Sequence, residues 1–234
     1  MANKDQIASE WMHAGPCVPF AGRMYSGWSL RSRVEELGRV GFTGIGLFHE
    51  DLANVLDREA EGPDLDAKLA WVKALLNDNG ITTVELEYLT GWVYPEGHPR
   101  RSGEQPIREL LLRAATLLGA RHVKVGNIDG APFGTDHLRP TFEALCAEAV
   151  AAGTLIGMEI LPPDPNSRTI ADAMSWVGGV TGGGLYLDTW HVNNIPTISY
   201  DDIAALPDGS IIGVELDDGL SFDEEDQRTF AKIG

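Results

Sequence analysis

Short apolar runs rich in β-branched residues recur along this chain at long, fairly even intervals, with amphipathic stretches filling the gaps. The clearest runs are Thr43–Phe48, Thr82–Tyr88, His122–Gly126, Leu155–Ile160, Gly184–Thr189 and Ile211–Leu216, and their starts lie 39, 40, 33, 29 and 27 residues apart. That is the rhythm of βαβ units, and it implies a parallel sheet. Helices are expected over Ser29–Val40, Asp64–Asn79, Ile107–Leu118, Asp136–Ala152, Thr169–Val177 and Ser199–Ala205, with Ser29, Asp136 and Ser199 as N-caps. A first strand between Ile7 and Pro19 brings the number to seven.

Open Rossmann sheets and closed barrels share this rhythm. No Gly-x-Gly-x-x-Gly follows a strand into a helix and no P-loop is present; Gly182-Gly183-Gly184 precedes a strand and reads as a helix-to-strand turn. The polar residues decide for the barrel. Glu87, Lys124 with Asn127, Glu159, Asp188 and Glu215 fall at or near the C-terminal ends of different strands, and in a barrel those ends converge on one mouth, where active sites lie. The expected fold is α/β, a (β/α)8 TIM barrel formed by one domain over residues 1–234. After Leu216 only 18 residues remain, acidic rather than strand-like in character, so all or part of the eighth βα unit is missing from the stretch. The chain then continues beyond it, stays open, or is completed by a partner copy in a homo-oligomer. The segment 217–234 reads as an acidic, solvated tail.

The formal net charge of −17 argues against nucleic acid or an anionic membrane as a partner, since both call for Lys and Arg stripes. No apolar run approaches the roughly 20 residues of a membrane span, and no secretory leader opens the chain, so a cytoplasmic location is expected. Cys17 and Cys146 are far apart and read as buried thiols rather than a disulfide.

Some of the negative charge points inward. Glu159 ends an otherwise apolar strand, where a carboxylate is costly unless something pairs with it. The pattern repeats at Asp188 and Glu215, so three consecutive strands each deliver one acid. Three separate ion pairs would need three buried cations, and the nearby sequence has few Lys or Arg. One hard divalent cation satisfies all three acids through oxygen ligands. His191, three residues past Asp188, can ligate the same metal or donate to a substrate oxygen.

The strand ending MEILPP with Glu159, YLDTWH with Asp188 and His191, and GVELDDG with Glu215 together resemble the xylose-isomerase-like barrels. GFTGIGLFHEDL and ITTVELEYLTGW extend the resemblance to about residues 29–219. That superfamily includes sugar isomerases and epimerases, inosose dehydratase-type enzymes and metal-dependent abasic-site endonucleases. The resemblance implies that Glu159 and Asp188 are metal ligands and that His191 is a ligand or a substrate contact. Two features depart from the family pattern. Glu215 stands where the family usually has a histidine, which hardens the site toward Mn²⁺ or Mg²⁺ over Zn²⁺. The family's glutamate on strand eight has no counterpart here.

Such a site implies a divalent-metal-dependent isomerase or epimerase of a small sugar or keto-sugar. The metal chelates a carbonyl and its neighbouring hydroxyl, a carboxylate moves the proton, and the reaction passes through a cis-enediolate. Glu159 is the candidate acid/base, and Lys124 or His191 the group that steadies the developing negative oxygen. Elimination from the same enolate gives the alternative, a lyase, dehydratase or deglycosidase. A non-catalytic sugar-binding subunit is the alternative from another class, and the acidic charge disfavours an endonuclease. Glu87 and Trp92 suit a sugar ring, the aromatic stacking and the acid bonding at the edge; the competing reading pairs Glu87 with Arg100 or Arg101 and packs Trp92 in a loop. Asn127, with Lys124 at the same strand end, is a further substrate-binding candidate. His49 and Glu50 line the mouth or lie in a solvated loop, and Glu85 shares a strand face with Glu87.

Overall fold

The structure, a computed structural model, describes residues 7–9 and 25–216. Among these, seven strands form one parallel sheet in sequential order: β1 (Ile7–Ser9), β2 (Gly44–Phe48), β3 (Thr83–Leu89), β4 (His122–Val125), β5 (Leu155–Glu159), β6 (Gly183–Asp188) and β7 (Ile211–Glu215). Between them run α1 (Leu30–Val40), α2 (His49–Arg58), α3 (Leu65–Asp78), α4 (Pro99–Leu118), α5 (Thr135–Ala151), α6 (Ile170–Val177), α7 (Thr189–Asn193) and α8 (Tyr200–Ala204). Each of the six longer strand runs expected from the sequence appears, shifted by at most a residue or two at either end.

The sheet curls. Across a flat sheet β4 and β7 would stand roughly 14 Å apart, three strand spacings. Instead Lys124 of β4 reaches Glu215 of β7 at 2.6 Å across the concave side. Strand alternation then separates two faces. Ile45, Leu47, Val84, Leu86, Val123, Val125, Ile156, Met158, Leu185 and Leu187 are all buried in the core that the helices cover. The concave face carries Glu85, Glu87, His122, Lys124, Glu159, Tyr186, Asp188 and Glu215, which meet one another.

Two glycines make that concave side passable. A Cβ on Gly157 would come within 3.2 Å of the Tyr186 ring, and one on Gly213 within 2.6 Å. The neighbouring strands therefore leave a slot for Tyr186, whose ring lies 4.8 Å from the Lys124 ammonium.

The helix boundaries follow capping chemistry. Ser29 and Ser199 accept from the backbone N–H groups of Ser32 and Asp202, as expected. Asp136 does not cap: Gly134 holds the N-cap of α5, and Asp136 falls in the first turn, where its charge still suits the positive end of the helix. α4 begins at Pro99, eight residues before the expected Ile107, and carries Pro106 inside it. The start is set by the His98 side chain accepting from Arg100 N–H and by Pro99 in the first turn, and the helix carries on through Pro106. α2 follows β2 without a side-chain cap, so the sequence offers no start signal, and His49 and Glu50 open a helix rather than a loop. A buried pair of Arg33 and Asp51 at 2.8 Å ties α1 to α2.

Cys146 is a free, buried thiol, pushed up to about 12 by burial; Cys17 lies outside the described residues. So do any eighth βα unit and the acidic run from Asp217 onward. No helix among the described residues is long and apolar enough to cross a membrane.

Candidate metal and catalytic site

The site grows from the C-terminal ends of β3 to β7, where an inward position on each strand carries a titratable side chain. Glu87, Lys124, Glu159 and Asp188 are all buried, with 4–6% exposure. Only Lys124 among these four is basic, and its position sorts the acids. Its ammonium lies 2.6 Å from Glu87 Oε2 and 2.6 Å from Glu215 Oε2, but 4.0 Å from Glu159 Oε1. Burial pulls the ammonium toward neutrality, yet Glu87, Glu159 and Glu215 outweigh it and hold Lys124 well above its ordinary value. It is a fixed positive charge, not a nucleophile.

The expectation that one divalent cation serves Glu159, Asp188 and Glu215 alike is thereby corrected for Glu215: Lys124 pairs with it at 2.6 Å and serves Glu87 at the same time. Glu87 takes Lys124 rather than Arg100 or Arg101, which pair with Asp129 and Glu104. Lys124 in turn directs its shortest contacts to carboxylates.

Glu159 keeps only the longer 4.0 Å contact with Lys124, and Asp188 has no ion pair with a lysine or arginine among the described residues. Burial pushes Glu159 up to about 7 against the pull of Lys124. Asp188 is also raised, by burial first, with His191 opposing. The third member of this cluster is His191, whose Nε2 lies 3.5 Å from Glu159 Oε1 and 3.5 Å from Asp188 Oδ2. Asp188 divides its oxygens. Oδ1 accepts from the N–H groups of Trp190 and His191 and caps α7, at 2.6 and 3.3 Å. Oδ2 faces the imidazole. His191 sits in the short helix that Asp188 starts, and its ring is aimed at the strand-end acids.

The cluster has the dimensions of a cation site. One donor atom from each of Glu159, Asp188 and His191 lies within 4.8 Å of the others. A cation with bonds of about 2.1 Å holds neighbouring ligands roughly 3.0–3.4 Å apart, so the two 3.5 Å contacts of His191 are already close to that spacing, and all three donors lie within 4.8 Å of one another. Two buried carboxylates and a partly buried imidazole, with the Lys124 ammonium no nearer than 4.0 Å, fit a divalent ion. Glu215, also expected as a ligand, pairs in register with Asp188 but turns its Oε2 to Lys124.

The remaining expected residues separate clearly. Trp92 is fully buried, 5.8 Å from the Phe142 ring and 6.0 Å from Trp176, so it packs beneath α5 and α6 and cannot stack on a substrate. Its place at a strand end suggested the mouth, but the chain after β3 turns it outward into the helical layer. Asn127 is a brace: its amide donates to Ala131 O and to Asp164 Oδ1 and accepts from Ala131 N–H, locking the loops after β4 and β5 together. His49 accepts from Tyr88 N–H at 3.4 Å, and burial holds its imidazole below the usual range.

Three residues at the site, Tyr88, His122 and Tyr186, went unnoticed in the sequence. Tyr88 is buried beside Glu159, with its phenol held well above the usual range by burial and then by that carboxylate. Phe48, Tyr88 and Leu161 form a small apolar cluster of their own. Below Lys124, His122 Nε2 lies 3.6 Å from Glu85 Oε2. Burial pushes the Glu85 carboxyl up to about 7 and the His122 imidazole down to about 3, so an acid and a neutral ring face each other. A signal for two of them was present: His122 and Tyr186 each stand two residues before a site residue on the same strand, which puts them on the same face.

The model of a family described as a xylose isomerase-like TIM barrel matches residues 34–233 of the chain. The chain belongs to that family. Among the family's relatives, a 3-dehydroshikimate dehydratase from Neurospora crassa is 24% identical over 148 residues, covering 61% of this chain and 41% of the relative. The chain thus spans about two fifths of the length of that relative. Among solved structures, the IolI protein with a bound zinc atom aligns at a TM-score of 0.68 and 16% identity, covering 83% of this chain and 70% of that one. A D-psicose 3-epimerase studied with D-fructose aligns at 0.60 and 17%, covering 88% and 76%. The xylose isomerase-like fold thus hosts epimerases and dehydratases, and at least one neighbour carries a divalent metal.

Proposed function

We propose that this chain is a divalent-metal-dependent enzyme that enolises a small sugar or keto-sugar, as an isomerase or epimerase. One observation carries the reading: Glu159 and Asp188 are buried carboxylates that Lys124 does not neutralise, and His191 Nε2 sits at bonding range of both. Glu159, Asp188 and His191 would hold the ion, with Glu215 beside Asp188 as a further carboxylate. A carboxylate-dominated donor set favours Mn²⁺ or Mg²⁺. The ion, when bound, polarises a substrate carbonyl and acidifies the neighbouring C–H.

This chain's residues supply the rest. Glu159 lies deepest of the three and is the candidate acid/base that moves the proton; burial raises its carboxyl to about 7 while no ion is bound. His191, 19% exposed at its side chain, is the cluster's link to the open mouth and to a substrate oxygen. Lys124 supplies fixed positive charge beneath the reacting carbons, through Glu87 and Glu215. Phe48, Tyr88 and Leu161 give an apolar patch near these acids, the part first assigned to Trp92.

A second reading, a dehydratase acting by enolisation and β-elimination, is favoured by the likeness to the 3-dehydroshikimate dehydratase. The same chemistry up to the enolate serves both. The test has two stages. Metal content is measured in the purified protein and in Glu159→Ala and Asp188→Ala variants, where loss of the ion is expected. A panel of ketoses, keto-sugars and 3-dehydroshikimate in D₂O then reads deuterium wash-in for isomerisation or epimerisation, and an unsaturated product for elimination. Unchanged metal content in both variants, or no exchange with any substrate, defeats the proposal.

A further inference from the structure

We propose that Lys124 withholds Glu215 from the cation site, so that Glu215 is a reversible ligand whose release sets the affinity for the metal. The inference rests on the proposed metal site and adds to it a residue that competes with the ion for a ligand.

Glu215 is paired in register with Asp188, one of the three cluster residues, and its charge bears on both Asp188 and Glu159. Its carboxylate nevertheless turns to Lys124, 2.6 Å away. Lys124 is not free to follow it toward the mouth. Glu87 Oε2 holds it at 2.6 Å from β3, and the Tyr186 ring lies 4.8 Å from the ammonium. That ring is fixed in turn by the gap left at Gly157 and Gly213. The ammonium is therefore anchored on one side and takes Glu215 on the other. Glu215 is the least buried of the pairing acids, with 18% of its side chain exposed against 5% for Glu87. It is the arm that can swing.

Binding a cation through Glu215 then means exchanging a charged hydrogen bond to Lys124 for a metal–oxygen bond. Charged hydrogen bonds are among the strong ones, so their loss registers as a change in affinity of roughly tenfold or more. The arrangement also keeps the apo site from collapsing under four like charges, because the one lysine holds two of them.

Mn²⁺ affinity, read from free Mn²⁺ by electron paramagnetic resonance, tests the idea without any turnover. Lys124→Met is expected to bind Mn²⁺ roughly tenfold tighter, and Lys124→Met/Glu215→Gln to lose that gain. A gain that survives Glu215→Gln overturns the proposal, and so does unchanged or weaker binding in Lys124→Met. Glu87→Gln/Lys124→Met cancels the same charge while leaving Glu215 released, so it is expected to keep the gain; a gain lost there is overall charge alone and overturns the proposal too. Should Lys124→Met fail to fold with two acids unpaired, Glu87→Gln/Lys124→Met replaces it. That protein is then compared with its Glu215→Gln derivative, and equal affinities overturn the proposal. Mn²⁺ binding retained in Glu159→Ala sinks the underlying metal site instead, and no Mn²⁺ binding in any variant sinks both.

Discussion

Glu85 offers the sharpest quantitative test of the barrel floor. Burial lifts its carboxyl from 4.5 to about 7, with Arg121 opposing and Glu87 adding to the rise. The folded value exceeds the unfolded one, so folding takes up a proton between these two values. The folded state is favoured by the neutral acid at low pH and loses that advantage as pH rises toward 7; above 7 the loss is complete. At 1.36 kcal/mol per pH unit the rise corresponds to about 3 kcal/mol, trimmed to about 2–3 because part of the side chain meets solvent. Glu85→Gln copies the protonated acid, including a donor for His122 Nε2, which is neutral in this range. It is expected to stabilise the protein by about 2–3 kcal/mol at pH 8 and by under about 1 kcal/mol at pH 5. Urea denaturation followed by circular dichroism at both pH values reads this as a midpoint shift of roughly 1 M at pH 8 and little at pH 5. An equal shift at the two pH values, or none at pH 8, refutes the assignment of Glu85 as a buried acid facing a neutral imidazole.

Trp92→Ala should destabilise by about 3–5 kcal/mol through the cavity it leaves against Phe142 and Trp176, read by thermal melting. Its Mn²⁺ affinity should stay near the parent's at a temperature where it is folded; a specific loss of metal or substrate binding would return Trp92 to the site. Gly213→Ala places a methyl 2.6 Å from the Tyr186 ring, so the ring must move. A cost of about 1–3 kcal/mol is expected, together with altered Mn²⁺ affinity as Lys124 loses its seat; a neutral outcome on both measures would show that the slot is loose.

Much of the fold was legible because strands advertise themselves twice, by apolar runs and by the even spacing that parallel connections force. The outer face of the sheet read directly. What failed was local. α2 starts without a cap, and α4 starts ahead of Pro106 and carries on through it. At the site, Glu159, Asp188 and His191 were found because acids ending apolar strands are costly and conspicuous. Trp92 was misplaced because strand alternation does not extend into the turn that follows. The pairing of Glu215 with Lys124 was invisible for a different reason: it joins residues 91 apart in the chain, and sequence spacing cannot say which of several acids one lysine will choose.

Asp188 makes local folding and site chemistry a single event. Its Oδ1 starts the helix that carries His191, while its Oδ2 faces that same imidazole. A helix of five residues has little cooperativity of its own, so its first turn leans on this one cap. Whatever draws on Oδ2 therefore also tugs on the scaffold that presents the third donor. The barrel's strands can be rigid while this corner behaves as a latch, with assembly of the donor set and ordering of the segment at its rim rising and falling together.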